Sequence, residues 1–201
     1  MIDSVITGQR RAIWYLPDGS FCLPDEPNAP QSFACLSGSF NPLHDGHTEL
    51  ATVAEQFTKR PTVFELSVAN VDKPLLTQAC VLSRIQDCQR PMLVTNAATF
   101  VEKACLFRNT TFIVGIDTAV RIVNKKYYNG SQQQLHGALE RLSDSSCRFL
   151  VAGRLQSNQF ATLTTSKFPR RYMDLFDEIP ESAFRRDISS TDIRKQDSKT
   201  T

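Results

Sequence analysis

The sequence lacks the features that define several classes of protein. Its 201 residues include six cysteines but no Cys-x-x-Cys pair and no spacing typical of a disulfide framework. No segment approaches the roughly 20 consecutive apolar residues of a membrane span, and the N-terminus carries no apolar run of signal-peptide length. These absences favour a globular protein with reduced thiols and no membrane contact. We expect it in the cytoplasm, with the nucleus left open.

The sequence also has little net charge. Its 23 lysines and arginines nearly balance 21 aspartates and glutamates, which gives a formal charge of +2. The basic pairs, such as Arg10-Arg11 and Lys125-Lys126, are scattered along the chain. A nucleic-acid-binding surface usually concentrates its basic residues, so no nucleic-acid partner is expected.

Apolar patterning predicts an α/β protein with a doubly wound, Rossmann-like parallel sheet. Strands are predicted at 33–36, 62–68, 92–95, 111–115 and 147–153. Between them, apolar residues recur at helical spacing, and this alternation places helices on both faces of the sheet. Residues 1–31 are predicted to form an N-terminal extension with a hairpin and a linker, 32–195 the main domain, and 196–201 a polar tail.

Chemically distinctive residues follow the predicted strands at their carboxyl ends, where such sheets bind ligands. In chain order they are His44 and His47, Lys73, Thr95 and Asn96, Asp117, and Arg154. One crevice at that edge of the sheet can collect all of them.

The run Ser37-Gly-Ser-Phe-Asn-Pro-Leu-His-Asp-Gly-His47 is the most informative part of the chain. Its small residues let backbone amides approach an anion closely. We expect Pro42 in the first turn of the following helix, and the two imidazoles on one face of that turn. Amides, a helix N-terminus and two histidines together predict a phosphate site. A zinc site is not expected, because no further ligands follow at suitable spacing.

A second anion-binding pattern is Ile188-Ser-Ser-Thr-Asp-Ile-Arg194. Ser189 or Ser190 is a natural helix N-cap, and Arg194 can form paired hydrogen bonds with phosphate oxygens. Taken by itself, this run is a common way to start a helix. Together with the first run it indicates a protein that holds a polyphosphate.

The two runs together resemble the nucleotidyltransferases that carry the His-x-Gly-His signature. Gly38 to His47 matches the Gly-x-Phe-Asn-Pro-x-His-x-Gly-His pattern of that family, and 188–194 matches its Ile-Ser-Ser-Thr-x-Ile-Arg pattern. The nicotinamide or nicotinate mononucleotide adenylyltransferases look most similar, and more narrowly the cytidylyltransferase-like domain of plant nucleotidyltransferase-superfamily proteins. The resemblance implies the nucleotidyltransferase type of α/β phosphodiesterase fold.

By this resemblance, the reaction is direct transfer of AMP from ATP, with Mg²⁺, to a phosphorylated small substrate, and pyrophosphate is released. His44, His47 and Arg194 would be catalytic. The remaining nucleotide-binding set would be Gly38, Ser39, Phe40, Lys73, Gly115, Asp117, Arg154, Ser190 and Thr191. The resemblance names no protein ligand for the metal, and an in-line displacement of this kind needs positioning and charge neutralisation above all.

The acceptor is less well defined. Related enzymes often stack the pyridine ring on a tryptophan after the third strand, where this chain reads Leu93-Val-Thr-Asn-Ala-Ala-Thr-Phe100. We therefore assign Thr95, Asn96 and Phe100 to the acceptor, with Phe107 as an alternative stacking residue. Two alternatives stay open. In the first, the chemistry is the same but the substrates are phosphopantetheine, or CTP with a phospho-alcohol. In the second, the protein is an ATP-binding regulatory module without catalysis.

Overall fold

A computed structural model describes residues 1–72, 74–86, 88–156, 159–166 and 168–187. The helices are α1 (Ile2–Ile6), α2 (Asp45–Thr58), α3 (Gln78–Ile85), α4 (Phe100–Leu106), α5 (Ile116–Ile122) and α6 (Gln132–Asp144). The strands are β1 (Ala12–Tyr15), β2 (Phe21–Cys22), β3 (Ala34–Ser37), β4 (Thr62–Ser67), β5 (Met92–Thr95), β6 (Thr111–Gly115), β7 (Arg148–Ala152), β8 (Arg154–Gln156), β9 (Gln159–Ala161) and β10 (Phe176–Ile179). Short 3₁₀ turns cover Lys125–Tyr128 and Arg170–Leu175.

The main sheet has the strand order β10-β7-β6-β3-β4-β5-β1-β2. The six strands from β10 to β5 run parallel. Taken in chain order, these six strands give the 3-2-1-4-5-6 arrangement of the doubly wound Rossmann fold. The predicted fold class is therefore confirmed. The point where the strand order reverses lies between β3 and β6, and this is where such sheets bind ligands.

Two apolar clusters cover the two faces of the sheet. One contains Phe64 and Leu66 with the buried side of α2, and the other contains Phe112 and Phe149 with α5 and α6. The central strands are buried on both faces, so their sequences are mostly apolar rather than alternating, although β4 carries the buried Glu65. Within the described residues, no helix has the length and apolar character needed to cross a membrane.

The predicted strands differ from the observed ones by at most one residue at either end. The N-terminal region contributes to the same sheet, because β1 pairs antiparallel with β5 and with β2. Helix α1 was not predicted, since its single turn is too short to show a period. It is tied to the sheet by Asn96, whose Nδ2 donates to the carbonyl oxygen of Val5 at 2.8 Å.

A buried ion pair lies between the sheet and α4. Lys103 Nζ is 2.7 Å from Glu65 Oε2, and the two side chains are only 8% and 1% exposed. The hydroxyl of Thr95 donates to Glu65 Oε1 at 2.5 Å, so both carboxylate oxygens have a partner. Burial raises the pKa of the adjacent Cys35 thiol, and the negative charge of Glu65 adds to this effect. A buried carboxylate of this kind needs its cation, because desolvation would otherwise strongly favour its neutral form.

Replacing Lys103 with methionine should leave Glu65 as an unpaired buried carboxylate. We expect the free energy of unfolding, measured by urea titration at neutral pH, to fall by about 3–5 kcal/mol. The double variant Glu65→Gln with Lys103→Met removes both charges and keeps an acceptor for Thr95, so it should recover most of that loss. A cost below about 1 kcal/mol for Lys103→Met alone would contradict the buried pair.

Candidate active site

The centre of the site is the connection between β3 and α2. β3 ends at Ser37 and α2 begins at Asp45, so the connection consists of residues 38–44. Its anchor is Phe40, whose ring is 1% exposed and packs against Phe64 at a centroid distance of 5.0 Å. Phe40 has a positive φ of 44°, and the bond between Asn41 and Pro42 is cis. The buried ring fixes this connection to the sheet, so only the backbone of Phe40 can contact a ligand.

Packing in the protein interior requires a glycine at position 38. A Cβ placed on Gly38 would lie 2.9 Å from Cζ of Phe40, a ring that is itself enclosed. The sequence predicts a role for small residues here because they let an anion approach the backbone. The structure adds a second reason, since the Phe40 ring folds back over Gly38.

The two histidines are brought together by helix capping. His44 is the N-cap of α2, with extended backbone angles of −149° and 166°. His47 lies in the first turn, and its Nδ1 accepts a hydrogen bond from the backbone N–H of His44 at 3.2 Å. The two imidazole centroids are 3.8 Å apart. The His47 ring also packs edge-on against the Phe40 ring, at a centroid distance of 5.1 Å.

This arrangement favours a neutral His47 with a defined tautomer. Burial, together with the neighbouring His44 ring, lowers the pKa of His47 to about 4. Burial also lowers the pKa of His44, although Asp45 partly offsets this. Because Nδ1 of His47 accepts a hydrogen bond, the proton of the neutral ring is assigned to Nε2. His47 therefore offers an N–H donor rather than a cation.

The capping geometry corrects two sequence predictions. Pro42 precedes the helix instead of occupying its first turn, and His44 lies before the first helical residue rather than within the turn. The physical reason is that the His44 backbone is extended, which lets its N–H reach the ring of His47. The two rings still meet, but through capping and not through a shared helix face.

Other predicted residues lie at the same edge of the sheet, across the switch point. Gly115 ends β6 and is the N-cap of α5, with open space where a Cβ would be. Asp117, in the first turn of α5, accepts a hydrogen bond from Arg154 Nη1 at 2.9 Å. Gln156, which we did not single out, also donates to Asp117. The structure thus joins two predicted nucleotide-binding residues, Asp117 and Arg154, in one exposed ion pair.

The second motif, at 188–194, lies outside the described residues, and so do Ser190, Thr191 and Arg194. The chain just before it is anchored next to α2. Phe184 is buried in the same apolar cluster as Leu50, and Arg186 Nε pairs with the carboxylate of Glu49. Glu49 is two residues beyond His47, so the described chain at Arg186 lies close to the first motif.

Lys73 also lies outside the described residues. Its neighbour Asp72, in the loop after β4, pairs with Arg121 Nη1 of α5 at 3.6 Å. β3 lies between β4 and β6, so this pair links elements on either side of the β3 end. The surroundings of the loop are consistent with its assignment to the site, and the role of Lys73 stays a prediction.

The three residues assigned to the acceptor make contacts within the fold. Thr95 is fully buried and donates to Glu65, while Asn96 binds the carbonyl of Val5. Phe100 packs edge-on against Phe112 at a centroid distance of 5.3 Å. The structure does not gather these side chains with the histidines, and the acceptor assignment stays a prediction.

The described residues contain no group of three or more histidines, cysteines, aspartates or glutamates that could hold a metal ion. A magnesium ion that arrives with a nucleoside triphosphate would take most of its ligands from the phosphates and from water.

The paired histidines lie beside the switch point of a Rossmann-type sheet, the position that the resemblance to the nucleotidyltransferases implies. Comparison with known families agrees, because the family model described as cytidylyltransferase-like matches residues 35–196. The chain belongs to this cytidylyltransferase-like family.

One relative in the comparison is a protein of Schizosaccharomyces pombe named "Putative nicotinamide mononucleotide adenylyltransferase". It is 27% identical over 114 residues, and the match covers 49% of this chain and 45% of the relative. The match thus spans less than half the length of that curated relative. This likeness is to part of the relative only.

Replacing Gly38 with alanine should destabilise the protein, because the new methyl group would meet the enclosed Phe40 ring. We expect a loss of about 1–3 kcal/mol in the free energy of unfolding by urea titration. The matched control is Gly137→Ala in the middle of α6, where a Cβ meets nothing within 4 Å. That change should stabilise the protein by about 0.5–1 kcal/mol. Equal effects of the two substitutions would contradict the packing assigned to Gly38.

The lowered pKa of His47 predicts a stability that depends on pH. The ordinary value of 6.5 applies to the unfolded chain and the value of about 4 to the folded one. Between these pH values the unfolded chain binds more protons, so lowering the pH favours unfolding. The stabilising contribution is complete above pH 6.5 and is lost as the pH falls toward 4. We expect wild-type protein to lose up to about 3 kcal/mol more than His47→Gln between pH 7 and pH 4 in urea titrations. Parallel pH profiles would contradict a buried, neutral His47.

Proposed function

We propose that this protein is a nucleotidyltransferase that transfers AMP from ATP to a phosphorylated small molecule and releases pyrophosphate. Nicotinamide or nicotinate mononucleotide is the first acceptor to test. The observation that carries the proposal is the pairing of His44 and His47 at the end of β3, beside the switch point of the sheet. Membership of the cytidylyltransferase-like family supports the chemistry, and the name of the yeast relative supports the choice of acceptor.

The proposed reaction needs no general base. An oxygen of the acceptor phosphate, already anionic at neutral pH, attacks the α-phosphorus of ATP. The bond from this phosphorus to the bridging oxygen breaks, and the electron pair leaves with pyrophosphate. Negative charge builds up on the oxygens around the α-phosphorus, so donors fixed at that position lower the barrier.

His47 is suited to be one of these donors. Its Nδ1 is occupied by the His44 N–H, which leaves Nε2–H to face the α-phosphate oxygens. A neutral donor held by packing does not have to reorganise when the charge develops. The phosphates also favour the protonated imidazole, so nucleotide binding should raise the pKa of His47 from its low value in the free protein.

The second motif completes the proposed site. Ser190, Thr191 and Arg194 would hold the β- and γ-phosphates, the leaving group. Their approach is supported by the anchoring of Phe184 and Arg186 against α2. Gly115, Asp117 and Arg154 would contact the nucleoside side of ATP, and the ion pair between Asp117 and Arg154 supports their assignment to one subsite.

The direct test measures pyrophosphate release with ATP or CTP, Mg²⁺ and a panel of acceptors. The panel contains both pyridine mononucleotides, phosphopantetheine and phospho-alcohols. We expect release that depends on ATP and on a pyridine mononucleotide. Release with a different acceptor or with CTP would replace the substrate assignment and retain the chemistry. Nucleotide binding without release by any acceptor would contradict the enzyme and favour a regulatory binding module.

The variant His47→Ala should separate binding from turnover. Its proposed contact strengthens as charge develops, so we expect kcat to fall by about 10²–10³-fold while the Kd for ATP changes by less than about fivefold. Arg148→Met, at an exposed ion pair of β7, serves as a control that should leave both unchanged. A loss of affinity as large as the loss of kcat would contradict the role given to His47.

A further inference from the structure

Arg84 links α3 to the phosphate-binding connection between β3 and α2. It lies in the last turn of α3, and its Nη1 donates to the carbonyl oxygen of Ser39 at 3.0 Å. The two residues are 45 positions apart in the chain, so this contact depends on the fold. Ser39 belongs to the set of residues whose backbone amides we expect to face phosphate.

The contact determines how the peptide between Ser39 and Phe40 is oriented. That peptide is trans, and in a trans peptide the carbonyl and the following N–H point in opposite directions. Because the Ser39 carbonyl points toward α3, the Phe40 N–H points away from it. Within the described part of the chain, this N–H has no hydrogen-bond acceptor.

The side chain of Phe40 prevents the residue from turning as a whole. Its ring is buried against Phe64 and His47, so we expect the backbone to respond to a change by rotation of the peptide plane. A rotated plane would bring the Ser39 carbonyl oxygen to the position of the N–H. A carbonyl oxygen at that position would repel phosphate, whereas the N–H attracts it.

We propose that Arg84 is a positioning residue that holds the Ser39–Phe40 peptide so that the Phe40 N–H faces the nucleotide phosphates. This inference rests on the proposed function for the identity of the ligand. Arg84 acts through the peptide, and the residue that donates to phosphate is Phe40. The geometry of the free protein is part of the proposal and can be tested without turnover.

The test compares Arg84→Met, Arg84→Lys and Arg60→Met. Arg60 is a matched control, because its Nη1 also donates to a loop carbonyl, that of Asn109, at 2.5 Å. Arg60 precedes β4 and Asn109 precedes β6, so this contact lies at the opposite edge of the sheet.

If the wild-type protein is active, we expect Arg84→Met to lower kcat/KM for ATP by about tenfold to a hundredfold. This is the effect of losing one hydrogen bond to a charged group. The KM for the acceptor should stay within about twofold. Arg84→Lys should recover at least half of the loss on a logarithmic scale, because an ammonium can also donate to the carbonyl. Arg60→Met should leave kcat/KM unchanged. Wild-type kcat/KM in Arg84→Met, or an equal loss in Arg60→Met, would overturn the proposal.

A second measurement uses the free protein, so it separates this inference from the proposed function. Residual dipolar couplings of ¹⁵N-labelled protein report the orientation of the Phe40 N–H bond. We expect that coupling to change in Arg84→Met and to stay as in the wild type in Arg60→Met. An unchanged coupling would overturn the positioning role even if the enzyme is active. A changed coupling in a protein that neither binds nor turns over nucleotide would retain the positioning role and reject the proposed function.

Discussion

The hydrogen bond from the backbone of His44 to Nδ1 of His47 is the constraint on which the candidate site depends. It starts α2, because it satisfies an N–H at the helix terminus that would otherwise lack a partner. It also selects the tautomer of His47 and brings the two imidazoles within 3.8 Å of each other. A structural requirement of the helix therefore produces an N–H donor at a fixed place, which is what a phosphate-binding site needs.

The surrounding fold holds this donor in place from several directions. The Phe40 ring fills the space next to Gly38 and contacts both Phe64 and His47. On the opposite face of the sheet, Glu65 and Lys103 form a buried pair next to the end of β3, since Glu65 is in register with Ser37. β3 itself is only four residues long, so its carboxyl end is fixed mainly by its neighbours β4 and β6. The site thus lies in a connection whose ends and central Phe40 are anchored to buried strands.

Local sequence patterns located five of the six parallel strands, whereas β10 and α1 were not predicted. These strands are mostly apolar, as buried parallel strands require, and the main exception is the buried Glu65 of β4. The start of α2 was misplaced because Pro42 is a common first residue of a helix, whereas here the capping is done by a histidine. Histidine is an unusual N-cap, so pattern reasoning had no reason to select it.

The parts of the site that were missed depend on contacts between distant residues. The Glu65–Lys103 pair joins positions 38 apart, and the Arg84–Ser39 contact joins positions 45 apart. Neither leaves a periodic signal in the sequence. The acceptor residues illustrate the same limit. Thr95 and Asn96 lie at the carboxyl end of β5, where ligands are expected, but their side chains bind Glu65 and the Val5 carbonyl. Position at a strand end predicts proximity to a site, and only the packing decides which side chains are available.

The central claim is that the β3–α2 connection binds the phosphates of a nucleotide. A titration of ¹⁵N-labelled protein with ATP and Mg²⁺, followed by amide and imidazole resonances, tests it most directly. The account predicts that the largest shifts occur at residues 38–47, including the Phe40 amide and the Nε2–H of His47. Shifts concentrated at the opposite edge of the sheet, or no shifts at millimolar ATP, would contradict it.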